Sequence, residues 1–372
     1  MQVRAGGSAP GRVNLIGEHT DYSGGFVLPF AVDMRTTVTV TVRSDNRLRM
    51  WSHQDAASPA ELSLQQLHPG WPEGWAAYVA GVIWVLREEG VAVPGLDVEV
   101  DGRVPIGAGL SSSAALTCAS ALALKQVCDL RLSAADLALV ALRAENDYVG
   151  VPCGVMDQLA VMTARADHAL FLDTQSLVSE HIPLRPDGHD AELLVIDTGA
   201  RHRLADGAYA DRRRSVERAA ALLDVESLRA LSVADLPLVR RRLDDETLWR
   251  RVRHVVSENR RVLDAVALLR DGRLRDVGPL LTASHVSLRD DFAVSSAELD
   301  TVVDACLAAG ALGARLTGGG FGGSVIALVP ATARQAVVTA VAQAAQVAGH
   351  ATPTFAPVRP SDGAAEVRTP SS

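Results

Sequence analysis

Residues 11–30, GRVNLIGEHTDYSGGFVLPF, constrain this chain more than any other stretch. Arg12, Glu18, His19 and Asp21 fall within ten residues, just before Gly24 and Gly25. An ionisable group must be paired or kept wet when a chain folds, because an unpaired charge is costly to bury. Yet apolar residues bracket these four, with Val13, Leu15 and Ile16 before them and Phe26, Val27 and Leu28 after. A fold containing this segment must pin its ends to a core and hold polar groups between them. Such a segment suits a small polar ligand.

A length of 372 residues suggests two domains at about 150 residues each. No run of 18 apolar residues is free of charge or glycine, so no membrane span is expected. The opening MQVRAGGSAPGR has no signal-peptide core. The net charge of −8, with no basic cluster, argues against nucleic acid as a partner. Arg212–Arg214 is the nearest approach to a basic run and reads as a solvated helix face. Cys118, Cys128, Cys153 and Cys306 form neither a CxxC nor a zinc spacing, which fits reduced thiols and a cytoplasmic location. Lys125 is the single lysine, so arginine carries nearly all the positive charge.

Residues 36–43 (TTVTVTVR) alternate at period two and predict a strand. Residues 48–52 are its expected partner, with Asp45 and Asn46 in the turn. Residues 96–104 (LDVEVDGRV) predict another half-buried strand, followed by a glycine-serine loop and an Ala/Leu-rich helix to about Cys128. Ser133 and Asp136 form a capping box that opens a helix to about Asp147. Strands are expected at 193–197 and 324–329, and helices at 209–224, 246–270 and 332–347. Ser295 with Glu298 makes a second capping box, whose helix stops near Gly310. Strands and helices in irregular order favour an α+β fold. The polar, Pro-containing segment 175–192 is the candidate domain boundary.

Residues 105–116, PIGAGLSSSAAL, lie between a predicted strand and a predicted helix. Glycines let a backbone approach a phosphate, and a helix N-terminus offers free N–H groups and a positive dipole end. A glycine turn with a serine N-cap is the competing reading. The loop is not a Walker A motif, since GxxxxGK[ST] is absent. A second glycine loop, TGGGFGG at 317–323, reads as a flexible hairpin or as a backbone that closes on a ligand. Asp157 sits among Val155, Met156, Leu159, Ala160 and Val161. A carboxylate in that company is a salt-bridge partner, an N-cap or a functional group, and Arg12 is its natural counter-charge.

Together these segments resemble the GHMP kinases, and among them the galactokinases. GRVNLIGEHTDY followed by GGFVLP is similar to the galactokinase signature, PIGAGLSSSA to the superfamily phosphate loop, VPCGVMDQ to the segment bearing its catalytic aspartate, and TGGGFGG to its third motif. Weaker likenesses are WAAYVAGV, ADGAYADRR, HVSLRDDFAVSSAELD and PSDGA. The resemblance implies a two-domain α+β GHMP kinase fold. Its N-terminal domain (1–190) would hold a left-handed βαβ unit, and its C-terminal domain (191–372) would be ferredoxin-like. Pattern reading alone would choose a right-handed crossover.

The implied activity is ATP-dependent phosphorylation of the anomeric hydroxyl of D-galactose. By the same resemblance Asp157 is the catalytic base and Arg12 the transition-state arginine. Glu18, His19, Asp21, Gly154 and Tyr209 would bind the sugar. Gly107, Ala108, Gly109, Leu110, Ser111, Ser112 and Ser113 would wrap the ATP phosphates, and Ser113 and Glu145 would hold Mg2+. The implied partners are galactose and MgATP, with no membrane; a monomer is expected and an oligomer left open. Two alternatives stand beside this: a sister kinase acting on N-acetylgalactosamine, arabinose or galacturonate, and a non-catalytic galactose sensor. The roles of Arg289, Asp290 and Asp291 stay open beyond a structural ion pair.

Overall fold

The structure, a computed structural model, describes residues 3–200 and 205–367. In its first half the elements are β1 (Arg4–Asn14), β2 (Phe26–Val27), β3 (Pro29–Arg43), β4 (Arg47–Ser52), β5 (Ala60–Ser63), α1 (Trp75–Glu88), β6 (Gly95–Gly102), α2 (Ser112–Val127), α3 (Ala134–Arg143), α4 (Met156–Thr163), β7 (His168–Asp173) and β8 (Ser179–Pro183). There follow β9 (Ala191–Asp197), α5 (Ala205–Leu223), α6 (Leu236–Arg242), α7 (Glu246–Arg270), α8 (Gly278–Asp290), α9 (Ala297–Ala308), β10 (Gly313–Thr317), β11 (Ser324–Pro330), α10 (Arg334–Val347), β12 (Thr354–Val358) and β13 (Ala365–Val367).

The first sheet runs β13-β1-β3-β6-β4-β5. Val38 pairs with Val100 and Val40 with Val98, so the alternation seen in both segments meets on one buried face. The strand expected at 48–52 is present, but it does not pair with β3. It lies parallel to β6, with Leu48 opposite Leu96, and β6 separates it from β3. A parallel neighbour needs a crossover, which the chain makes through β5 and α1. The turn holding Asp45 and Asn46 passes over the start of β6, where a Cβ on Gly95 would stand 1.8 Å from the Asp45 carbonyl oxygen.

Helix α2 packs on β1 and β3. Its small side chains allow this close approach: a Cβ on Gly7 would lie 2.2 Å from the Ala119 carbonyl oxygen. The Ser133–Asp136 capping box opens α3 as expected. That α-helix stops at Arg143, however, and residues 144–149 form a π-helical turn. The second expected cap is also displaced by one residue. Ser296 accepts from Leu299 N, while Ser295 Oγ donates to Asp300 Oδ1 at 2.5 Å.

The second sheet, β10-β11-β9-β12, is antiparallel throughout. A small sheet, β2-β7-β8, joins the Phe26–Val27 strand to the two strands that end the first half. Val13, Leu15, Ile16 and Leu28 pack in one cluster with Val262, Ala265 and Val266 of α7 and Ile326 and Leu328 of β11. Full burial of each large aliphatic side chain contributes about 1.5–3 kcal/mol. The apolar ends of the 11–30 segment are thus pinned to both halves of the molecule, and its polar middle lies between them. The last strand, β13, returns to the first sheet, with Gly6 opposite Val367 and Ser8 opposite Ala365.

Candidate active site

Arg12 is aimed by a bulge. The β1–β3 register shifts between Pro10 and Arg12, and such a shift turns the following side chain to a new direction. Only glycine fits at the skipped position, because a Cβ on Gly11 would stand 2.8 Å from the Leu110 carbonyl oxygen. Arg12 Nε and Nη2 then donate to Asp157 Oδ1 and Oδ2, both at 2.6 Å, and Nη1 donates to the Gly109 carbonyl at 2.8 Å. One guanidinium therefore joins β1, the 105–111 loop and the first turn of α4, and the fork geometry suits arginine rather than lysine. Burial alone would lower the Arg12 pKa, but the Asp157 and Glu18 carboxylates outweigh it and hold the pKa raised. Ser111, in a left-handed conformation with φ 56°, donates its hydroxyl to Asp157 Oδ2.

Glu18 is buried, and its Oε1 accepts from Gly318 N at 2.7 Å and Thr317 Oγ1 at 3.3 Å, with Arg315 Nη2 3.3 Å away. Oε2 takes part in none of these contacts. His19 has φ 62° and both ring nitrogens engaged: Nδ1 with Tyr22 Oη at 3.0 Å and Nε2 with the Gly319 carbonyl at 3.2 Å. A carbonyl only accepts, so Nε2 carries the proton and Nδ1 accepts from Tyr22. Burial, reinforced by nearby His254, lowers the His19 pKa to about 3 and keeps the ring neutral. Burial also raises the Asp21 pKa to about 7, helped by the Asp157 and Glu18 charges. A side chain at Gly154 would displace Asp21, since a Cβ there would meet Asp21 Oδ2 at 1.9 Å.

Glu145 lies in the π-helical turn, a form that often marks functional sites. Its Oε1 accepts from Gln158 Nε2 at 2.9 Å and Thr117 Oγ1 at 3.2 Å. Burial drives its pKa up to about 7, although hydrogen bonds from Gln158, Ser113 and Thr117 pull the other way. No group of three His, Cys, Asp or Glu side chains gathers to hold a metal among the described residues. Ser113 and Glu145 offer hard oxygen donors of the kind Mg2+ takes, and Mg2+ commonly completes its shell with water and phosphate.

The structure brings Arg12, Glu18, His19, Asp21, Ser113, Glu145, Gly154, Asp157 and Tyr209 around one cavity of about 240 Å³, closed on one side by residues 318–321. Residues 318–323 connect β10 to β11, so this glycine loop is a hairpin loop that lines the site. Gly107, Ala108, Gly109, Leu110, Ser111 and Ser112 do not line that cavity. Ala108 and Leu110 are buried, and Gly109 lies beneath Gly318, where a Cβ on Gly318 would be 3.3 Å from the Gly109 Cα. Ser112 and Ser113 line a second cavity of about 370 Å³ with Trp75, Tyr78, Val104, Ile106 and Leu116. Ser113 is common to both. Sequence reasoning missed Arg315, Gln158, Thr117 and Tyr22; Tyr22 and Gln158 directly follow Asp21 and Asp157 and could have been found by that adjacency, whereas Arg315 and Thr117 carry no local signal. Arg212 is also not the solvated group its neighbours suggest, because it donates to the Phe292 and Ala293 carbonyls, both at 2.8 Å. Arg289 and Asp290 pair with each other on the surface.

The fold and these motifs define a GHMP kinase. The GHMP kinase N-terminal domain model matches residues 77–165 and the C-terminal model residues 265–346. The galactokinase galactose-binding signature matches residues 2–42. The chain belongs to the galactokinase family. It is 50% identical to a galactokinase of Streptomyces coelicolor over 96% of this chain and 92% of that one. It is 41% identical to a galactokinase of Thermococcus kodakarensis over 95% and 98%. A Lactococcus lactis galactokinase solved with galactose superposes with a TM-score of 0.93 at 34% identity, over 97% of this chain and 95% of that one. A Methanococcus jannaschii mevalonate kinase shares the fold, with a TM-score of 0.70 at 17% identity.

Proposed function

We propose that this chain transfers the γ-phosphoryl group of ATP to the anomeric hydroxyl of D-galactose, giving galactose 1-phosphate and ADP. The observation that carries the reading is the Arg12–Asp157 pair set in an acidic cavity that shares Ser113 with a second, more apolar one. The first cavity takes the sugar and the second the nucleoside. The anomeric oxygen forms a bond to the γ-phosphorus as the bond to the β-bridging oxygen breaks, and the hydroxyl proton passes to Asp157. Phosphoryl transfer depends on alignment and charge neutralisation more than on covalent help. Arg12 fixes the Asp157 carboxylate and brings permanent positive charge to the transferring group.

Glu18 and Asp21 accept sugar hydroxyls. His19 contributes its ring to the wall, or meets a hydroxyl by exchanging one of its present partners. Tyr209 and Gly154 shape the opposite side. Amides of residues 107–113 and the start of α2 face the phosphates. Ser113 and Glu145 would hold Mg2+ together with phosphate oxygens, and the ion would neutralise charge on the triphosphate. Among the described residues lining the sugar cavity, Arg12 is the single Lys or Arg, and Asp157 already engages it. That favours a neutral sugar over a uronate.

We take residues 1–190 and 191–372 as the two domains, with β13 crossing back to the first. The four cysteines are unbonded, which supports a reducing, cytoplasmic setting. ADP release measured across galactose, N-acetylgalactosamine, arabinose and galacturonate tests the function. Galactose should give the highest kcat/KM. ADP formation indifferent to galactose would refute the reading, and sugar binding without any ADP would favour the sensor.

A further inference from the structure

The sugar-binding segment has an unusual backbone. Gly17, His19 and Gly24 all have positive φ, at 105°, 62° and 68°, and buried N–H and carbonyl groups in such a loop need partners from elsewhere. Three of them find partners on a single helix, α7, more than 230 residues away. Gly17 N donates to Glu258 Oε1 at 3.0 Å, His254 Nε2 lies 3.1 Å from the Glu18 carbonyl, and Phe26 N donates to Asn259 Oδ1 at 2.9 Å. His254 and Glu258 are one helical turn apart, and neither has any exposed surface.

These side chains are themselves held. The Glu18 carbonyl can only accept, so His254 Nε2 carries a proton and Nδ1 accepts from Ser287 Oγ at 2.8 Å. Ser287 has one proton to give, so Asp291 Oδ2, 3.4 Å from it, depends instead on Arg253, whose Nε donates to the same oxygen at 2.9 Å. Glu258 Oε1 also accepts from Ser284 Oγ at 2.6 Å, and Oε2 from Arg261 Nε at 2.7 Å. Ser284, Ser287 and Asp291 recur along α8 and its end, so the HVSLRDDF segment backs the α7 clamp. The Phe292 ring lies 4.8 Å from that of His19 and 4.6 Å from that of His254.

We propose that His254, with Glu258 beside it and Ser287 behind it, is a positioning residue that sets the Gly17–His19 backbone for the sugar. Glu18 is then fixed at both ends: its carbonyl by His254 and its carboxylate by Arg315 and Gly318. Neither His254 nor Glu258 lines the sugar cavity, so each acts through the segment it holds. Among the described residues, the hydrogen-bond partners of these two side chains are Gly17, Glu18, Arg261, Ser284 and Ser287, and none belongs to the nucleotide loop at 105–113. Their effect is therefore on sugar affinity, not nucleotide affinity.

This inference rests on the galactose reading of the site, and wild-type turnover with galactose is the control for that reading. His254→Leu removes the donor to the Glu18 carbonyl, whereas His254→Gln can keep an N–H near the Nε2 position. The Leu variant should raise the galactose KM about tenfold while the ATP KM stays within about twofold, and the Gln variant should recover most of the loss. A merely structural role would instead move both KM values together or lower kcat alone, and either result overturns the proposal, as does a Gln variant no better than Leu. Should His254→Leu not fold, Ser287→Ala is read in its place. It removes the hydrogen bond to Nδ1, with a galactose KM rise of about threefold expected; an unchanged galactose KM overturns the proposal.

Discussion

Glu145 carries a charge that the fold has not made comfortable, and Glu145→Gln exposes the cost. Burial raises its pKa to about 7 from an ordinary 4.5. A raised carboxyl pKa contributes stability that is present below the unfolded value and lost as pH rises through the folded one. Relative to a glutamine that never ionises, wild-type Glu145 should therefore destabilise the fold by about 2 kcal/mol at pH 6 and about 3 kcal/mol at pH 8, and by almost nothing below pH 4. Glutamine keeps an oxygen to accept from Gln158 and Thr117, so the hydrogen bonds now made to Oε1 survive. Urea unfolding of both proteins at pH 6 and pH 8, without nucleotide or metal, should show the variant more stable, with the gap widening as pH rises. The same variant should lose about 10²-fold or more in Mg2+-dependent turnover, since a metal's charge stabilisation is worth several kcal/mol. A variant less stable at pH 8, or a gap that narrows with pH, would refute the burial argument. Near-normal turnover would refute the metal role.

Asp157→Asn should lose about 10²-fold or more in kcat, the scale of removing a general base, and single-turnover phosphorylation of galactose measures it; turnover close to wild type would remove Asp157 from the mechanism. Gly154→Ala should raise the galactose KM, because its Cβ would meet Asp21 Oδ2 at 1.9 Å, while leaving ATP binding in place; titration calorimetry with each ligand separates the two. Asp21, with its pKa raised to about 7 by burial, is ionised and able to accept two sugar hydroxyls above that value. Galactose affinity should weaken as pH falls from 8 to 6, and Asp21→Asn should flatten that profile.

What the sequence disclosed and withheld follows from range. The 105–116 loop, the Ser133–Asp136 cap and the strand at 36–43 are set by neighbours within a few residues and were legible, as was the strand expected at 96–104, which ends at Gly102. The partner of 48–52 was not, because β6 enters between two strands joined by a short turn, and nothing local in RLRMWS announces it. The first strand, RAGGSAPGRVN, has no alternation to read. Gly7 serves the close packing of α2 and Gly11 the bulge, both tertiary demands. In the site, the charge cluster was plain, and Arg12 does pair with Asp157 as expected, the chain's single lysine leaving an arginine as the natural counter-charge. The Glu18–Arg315 contact and the His254 clamp span about 300 and 236 residues of chain, and neither arginine nor histidine advertises such a partner.

The return of the last strand to the first sheet imposes an order on assembly during synthesis. The strand carrying Arg12 leaves the ribosome about 350 residues ahead of residues 365–367, yet the Gly6–Ser8 stretch of one of its edges is covered only when those residues arrive. Until then that edge presents unpaired N–H and carbonyl groups to any neighbouring chain. At about 5–20 residues per second, the wait is tens of seconds. Through that interval the edge at Gly6–Ser8 stays open to strand exchange, and residues 365–367 close it.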